Sequence, residues 1–257
     1  MANYEDVTLD INGHVATIAI NRPARLNAFR DQTADELRAA LGGASADANV
    51  RAVILTGNGR AFGAGYDLAQ ITPDEVPALD RVLETHFNPL IKAMRESRLP
   101  VVTAVNGPCA GAAIGLALAG DIVLVARSAY FYEPFVNIAL VPDAGNTLFL
   151  PRIIGRARAL PMMLLGDRIS AAKALEWGLV WEVHDDDLLM NAAITIAAKL
   201  SGLDPDAVAA TKRLVTAASD FGMDEQLALE RDLQGIAGRS EAVQKEIAAF
   251  FARKSGT

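Results

Sequence analysis

Residues 99–126, "LPVVTAVNGPCAGAAIGLALAGDIVLVA", hold one charge, Asp121, and no other stretch limits the fold as much. Asn106, Pro108 and Asp121 interrupt it, so no window of roughly 18 or more unbroken apolar residues is left to cross a membrane. What remains is a buried unit: an apolar strand, a tight turn of small residues, a helix of Ala, Gly and Leu, and a second apolar strand. Strands without polar alternation are covered on both faces, the situation of a parallel sheet flanked by helices. Residues 51–68, "RAVILTGNGRAFGAGYDL", repeat the move from apolar strand into a Gly/Ala-rich turn. The expected class is α/β.

Around these two units the pattern is regular. Residues 5–10 and 13–20 read as short strands joined by a hairpin at "INGH". Pro23 breaks regularity before a helix that runs from Asp31 to about Leu41. Pro73, Pro77 and several acids mark an exposed connection over 73–80, followed by a helix from about Leu79 to Glu96. "AYFYEPFV" reads as a strand or strand end, and a helix opens near Thr147. "RALPMMLLGD", "SAAKALEWGLV" and "WEVHDDD" read as helix, helix and short strand. From about Leu188 the chain is helical, with breaks near Gly202–Pro205 and Gly222.

The 257 residues are 51% hydrophobic and 21% charged, ordinary for a soluble globular chain. A net charge of −7 argues against a nucleic-acid surface while leaving room for a few arginines beside a small phosphorylated ligand. One cysteine, Cys109, rules out an internal disulfide and a cysteine-built metal site, and suits a reducing cytosol. His14, His86 and His184 stand far apart, so no histidine metal cluster is expected. The first residues, "MANYEDVTLDINGHV", carry acids and no apolar core, unlike a secretory signal. A cytoplasmic protein with no membrane segment is the expectation.

Small residues at a helix mouth let helix and sheet pack closely. They also leave the first helical N–H groups open to an anion. Neither turn has a P-loop Lys-Ser/Thr ending or a G-x-G-x-x-G pattern, which excludes a phosphate cradle. Two such turns in one core can instead aim two backbone N–H groups at a single oxygen, an oxyanion hole. On that reading Tyr66 acts through its amide, and its ring merely lines a pocket.

"RPARLNAF", "RAVILTGNGRAFGAGYDL", "PVVTAVNGPCAGAAIGLALAGDIVLVA", "VPDAGNTLFLPRIIGRARA" and "RISAAKALEWGLVWEV" resemble, in order and spacing, the enoyl-CoA hydratase/isomerase (crotonase) family. The resemblance spans essentially the whole chain. It implies a spiral of repeated β-β-α units over residues 1–195 and a C-terminal helical region over 196–257. It also implies an acyl-CoA thioester ligand, a homotrimer or dimer of trimers, and no cofactor beyond the coenzyme A of the substrate. The oxyanion donors would be the amides of Tyr66 and Ala112. Substrate and CoA would lie along Arg25, Leu26, Ala28, Ala64, Gly65, Asp67, Leu68, Pro108, Ala110, Gly111 and Phe135. The stretches "FNPL", "PDAGNT" and "LERDLQGIAGRS" lie nearest the family's isomerases of aromatic-acid degradation. Ala112 and Asn146 depart from that pattern, which has Gly at both places.

The two glutamates that handle water in the family's hydratases fall on Gly115 and Phe135, neither of which moves a proton. Asp143, directly after Pro142, is the acid supplied instead. It reads as a helix cap in isolation and, within the family, as a proton carrier. Phe87, Phe131, Phe135 and Leu140 are the expected apolar lining, which would raise the pKa of an acid among them. Glu133 reads as a solvated or salt-bridged surface residue or as a substitute acid, facing the same side as Phe135 if both lie in a strand. Asp67 reads as a turn or capping group and His86 as an exposed or core-edge residue. Arg22, Arg25 and Lys212 are either CoA-phosphate contacts or scattered charge. Three functions stay open: an acyl-CoA isomerase, favoured; a hydratase using Asp143 or Glu133; and a non-catalytic acyl-CoA-binding subunit, against which Asp143 argues.

Overall fold

The computed structural model describes residues 4–70 and 77–255. Its strands are β1 (Val7–Asn12), β2 (Val15–Ile20), β3 (Ala52–Gly57), β4 (Val101–Val105), β5 (Cys109–Ala110), β6 (Ile122–Ala126), β7 (Tyr130–Tyr132), β8 (Ile169–Ser170) and β9 (Glu182–His184). The α-helices are α1 (Asp31–Ala46), α2 (Leu79–Val82), α3 (Asn88–Glu96), α4 (Ala112–Leu118), α5 (Asn146–Ile154), α6 (Arg156–Leu165), α7 (Ala171–Glu176), α8 (Leu189–Ser201), α9 (Pro205–Ala217), α10 (Met223–Ala237) and α11 (Glu241–Ser255).

The main sheet runs in the order β1-β2-β3-β4-β6-β9. Only the β1–β2 hairpin is antiparallel; the pairs β2–β3, β3–β4, β4–β6 and β6–β9 are parallel. Every residue of β3 and β4 is buried, as their unbroken apolar runs demand. A second sheet, β5-β7-β8, stands apart from the first. Helix α4 connects the two layers and is buried along its whole length, which explains its composition of Ala, Gly, Leu and Ile.

Several elements differ from expectation. Helix α1 continues past Leu41 to Ala46 because its buried stripe of Ala34, Leu37, Ala40 and Leu41 extends to Ala44. That burial offsets the roughly 1 kcal/mol that each of Gly42 and Gly43 costs in a helix. The helix expected over 79–96 is interrupted by a π-helical turn at Leu83–Phe87. Pro89 follows at the second position of α3, where it has no N–H to give to an i−4 carbonyl. "AYFYEPFV" is a strand only to Tyr132; Phe135–Ile138 form a 3₁₀ turn, so Glu133 and Phe135 do not share a strand face. Of the exposed connection expected over 73–80, residues 73–76 lie outside the described residues and α2 already begins at Leu79.

Two compact units divide at Ser201/Gly202. Helix α8, whose Leu189, Ala193 and Ala197 are buried, belongs to the first, so that unit runs on past the expected boundary at residue 195. The second unit holds α9, α10 and α11, with Asp204 capping α9 through the Ala207 N–H at 2.8 Å. None of its described residues is buried. Among the described residues, no helix is long and apolar enough to cross a membrane.

Candidate active site

The turn after β3 and the turn before α4 come together. Gly65 (φ +84°) and Gly111 (φ +54°) hold backbone conformations closed to most side chains. A Cβ built on Gly65 would lie 3.2 Å from the Ala110 carbonyl oxygen, and one on Gly111 3.7 Å from the Gly65 Cα. The carbonyl of Gly65 accepts the Phe29 N–H at 2.7 Å, and the Phe29 carbonyl accepts the Asp67 N–H at 2.7 Å. Between these bonds the Tyr66 N–H is left without an acceptor among the described residues, as is the Ala112 N–H at the first position of α4. Both residues line one cavity of about 310 Å³.

The ring of Tyr66 packs against Phe87 at 5.9 Å, and its hydroxyl donates to Asp31 at 3.0 Å. Burial, helped by that carboxylate, pushes the phenol up to about 12, outside working acid–base range. Leu68, Leu79, Val82, Leu83, Ile138 and Leu140 add apolar surface. The expected lining by Phe87, Phe135 and Leu140 holds, whereas Phe131 is a fully buried core residue. The residues missed from sequence sit on α2, the π turn and the 3₁₀ turn, elements whose facing depends on local helix irregularity.

Asp143 is the carboxylate that lines the cavity. Burial pushes it up to about 6, against a lowering by its own backbone amide. It sits in a turn closed by the Asn146 N–H on the Asp143 carbonyl at 2.9 Å, with Ala144 held at φ +49°. Its side chain does not cap α5, whose N-cap is Gly145. Gly115 is more than a missing acid: a Cβ there would meet the Ala144 carbonyl oxygen at 2.0 Å. The Asp143 turn therefore fills the space a side chain at 115 would need.

Glu133 corrects the surface reading. It is 0% exposed, and neither carboxyl oxygen finds a hydrogen-bond partner among the described residues. Burial first, and the charge of Asp143 second, push its pKa up to about 8. Position 133 carries no sequence pattern that separates it from a solvated glutamate.

Ala64, Gly65, Leu68, Gly111 and Phe135 join Tyr66, Ala112 and Asp143 around the cavity. Arg25, Leu26, Ala28, Asp67, Pro108 and Ala110 do not line it. Asp67 is buried and paired with Arg22 at 2.8 Å, and Arg22 also meets Asp6 at 3.5 Å. Arg22 is thus an internal brace of the first turn rather than a surface cation. His86 faces Asp35 at 2.8 Å, on the side of α1. Among the described residues no group of three or more His, Cys, Asp and Glu is placed to hold a metal ion.

A parallel sheet whose two small-residue turns enclose an apolar cavity with one lining carboxylate defines an α/β enzyme. Its family follows from comparison: the profile of the Enoyl-CoA hydratase/isomerase family matches residues 10–256, and the chain belongs to that family. It is 41% identical to the 1,2-epoxyphenylacetyl-CoA isomerase of Escherichia coli (strain K12) over 244 residues, covering 94% of this chain and 93% of the other. It is 39% identical to a Rhodobacter capsulatus protein described as "Probable enoyl-CoA hydratase", over 98% of this chain and 97% of that one. The crystal structure of enoyl-CoA hydratase from Bacillus anthracis superposes with a TM-score of 0.90 at 30% identity, covering 97% of each chain. An isomerase and a probable hydratase of the family thus match this chain over nearly the same length.

Proposed function

We propose that the protein is a cytoplasmic acyl-CoA isomerase that moves a proton, and with it a double bond or ring isomer, beside a CoA thioester. The observation that carries this reading is one cavity bringing two acceptor-free amides, Tyr66 and Ala112, together with one carboxylate, Asp143. The thioester oxygen accepts both N–H groups. Asp143 takes a proton from a carbon next to or conjugated with the carbonyl, and the electron pair left behind spreads onto that oxygen as an enolate. The same carboxyl returns the proton at another carbon, and the double bond ends one position away. A fixed donor stabilises the enolate by about 2.7–4 kcal/mol where comparable sites have been tested. A carboxylate near pKa 6 is basic enough to accept the proton and acidic enough to give it back. The step is redox-neutral and draws on nothing but amides and a carboxyl.

Hydration is the second reading. Buried Glu133, electrostatically coupled to Asp143, supports it because a pair of acids is what positioning water requires. Against it, Gly115 and Phe135 occupy the places of the hydratase acids, and the Asp143 turn blocks the first. Conversion of a 3-enoyl-CoA to the 2-enoyl-CoA should therefore outrun water addition to crotonyl-CoA. Asp143→Asn should fold normally, bind CoA esters as before, and lose turnover by on the order of 10²–10⁴. Exchange of substrate hydrogens with deuterated water should fall in parallel. Faster hydration than isomerisation, or a folded Asp143→Asn enzyme of normal activity, would overturn the proposal.

A further inference from the structure

The two acceptor-free amides belong to two peptide units, and each unit is held from its other end. In a trans peptide the C=O and the following N–H point in opposite directions, so fixing one aims the other. The unit carrying the Tyr66 N–H is fixed by backbone alone, through the Phe29 N–H on the Gly65 carbonyl. The unit carrying the Ala112 N–H is fixed differently. Its carbonyl, on Gly111, accepts the Ile114 N–H at 2.9 Å and the side-chain Nδ2 of Asn146 at 3.0 Å. Gly111 sits at φ 54°, ψ −127°, outside the helix, and without a Cβ to bar rotation its following peptide has little else to orient it.

Asn146 is 0% exposed, and its Oδ1 is buried without a partner among the described residues. An unpaired buried acceptor costs stability, so this side chain is not there for stability alone. A bond accepted at a peptide carbonyl also polarises the unit and strengthens its N–H as a donor. The backbone N–H of the same residue closes the Asp143 turn at 2.9 Å, so one residue bonds both the Gly111 carbonyl and the backbone of the Asp143 turn.

We infer that Asn146 is a positioning residue of the thioester-oxygen site, setting the direction and donor strength of the Ala112 N–H through the Gly111 carbonyl. The inference rests on the acyl-CoA reading of the cavity. Its test uses hexanoyl-CoA labelled with ¹³C at the carbonyl, a saturated ester with no double bond to move, and difference infrared spectra of the bound ester. Wild-type protein should shift the carbonyl stretch to lower frequency. A bound ester with no such shift would sink the acyl-CoA reading itself, and the inference with it. Asn146→Leu keeps the volume and removes the donor. It should lose a large part of the shift and drop kcat roughly 10- to 100-fold, less than the 10²–10³ of deleting a donor outright, with a much smaller change in KM. The acid limb of the pH profile should stay in place, since the backbone contact to Asp143 remains. A full wild-type shift and kcat in Asn146→Leu overturns the inference, as does a moved acid limb, which would mean that Asn146 acts through Asp143. If Asn146→Leu fails to fold, Asn146→Ala is read against the same outcomes.

Discussion

Glu133 and Asp143 are two carboxyls kept where water is scarce, with pKa values pushed up to about 8 and about 6. For Glu133 the folded value lies above the unfolded one of 4.5, so the folded chain holds a proton that the unfolded chain has released. Its contribution to stability is then intact below about 4.5 and is lost as pH rises through the folded value. Glu133→Gln keeps the size and stays neutral. Denaturant melts should show the variant and wild type close together at pH 4.5. By pH 8 the variant should be the more stable, by on the order of a few kcal/mol. A variant less stable at pH 8 would mean that the buried carboxylate is compensated. Fully buried, Glu133 was legible neither by spacing nor by neighbours, whereas Asp143 stood out only through the family resemblance, since the turn after Pro142 by itself reads as a helix cap. Ala112 and Tyr66 were singled out for a different reason: the small residues around them are what a site built on backbone amides would require.

Elements built from unbroken apolar runs, β3 and β4 above all, could be read directly, because burial on both faces leaves no other pattern. Those settled by tertiary contact could not: the Gly42–Gly43 passage through α1, the π turn before Pro89, and the early end of β7 at Tyr132. Helix α4 shows how tertiary contact can reverse a propensity argument. On an open helix, Gly→Ala stabilises by roughly 1 kcal/mol. At Gly115 the added Cβ would stand 2.0 Å from the Ala144 oxygen, a backbone atom with Asp143 just before it. Gly115→Ala should therefore destabilise by about 1–3 kcal/mol and lower kcat as the Asp143 turn is pushed aside. Melts and turnover at saturating substrate check this together. A stabilised, fully active Gly115→Ala would show slack between α4 and the turn, and would reopen the position to a larger side chain.

At the scale of the whole molecule, the unit from Gly202 onward poses the question of what covers it. Three helices with no buried described residue have no core of their own, and a segment of this size without one is not stable alone. In the single chain Val215 is 65% exposed, Met223 79%, Ile236 62% and Ile247 52%. Apolar side chains thus stand exposed on each of α9, α10 and α11. A second and third copy of the chain are the occupants that fit the trimer or dimer of trimers the family resemblance implies. Light scattering should then give a mass about three or six times the 27.2 kDa of one chain. Ile236→Asp combined with Ile247→Asp places a charge on each of α10 and α11, and a charge has to be stripped of water to enter an interface. The double variant should fall toward the mass of one chain and melt at a lower temperature, and dilution should lower the melting temperature of the wild type but not of the variant, because only the wild type draws stability from association. A wild-type mass of a single chain would rule out the trimer that the resemblance implies. An unchanged mass in the double variant would move the interface to another surface.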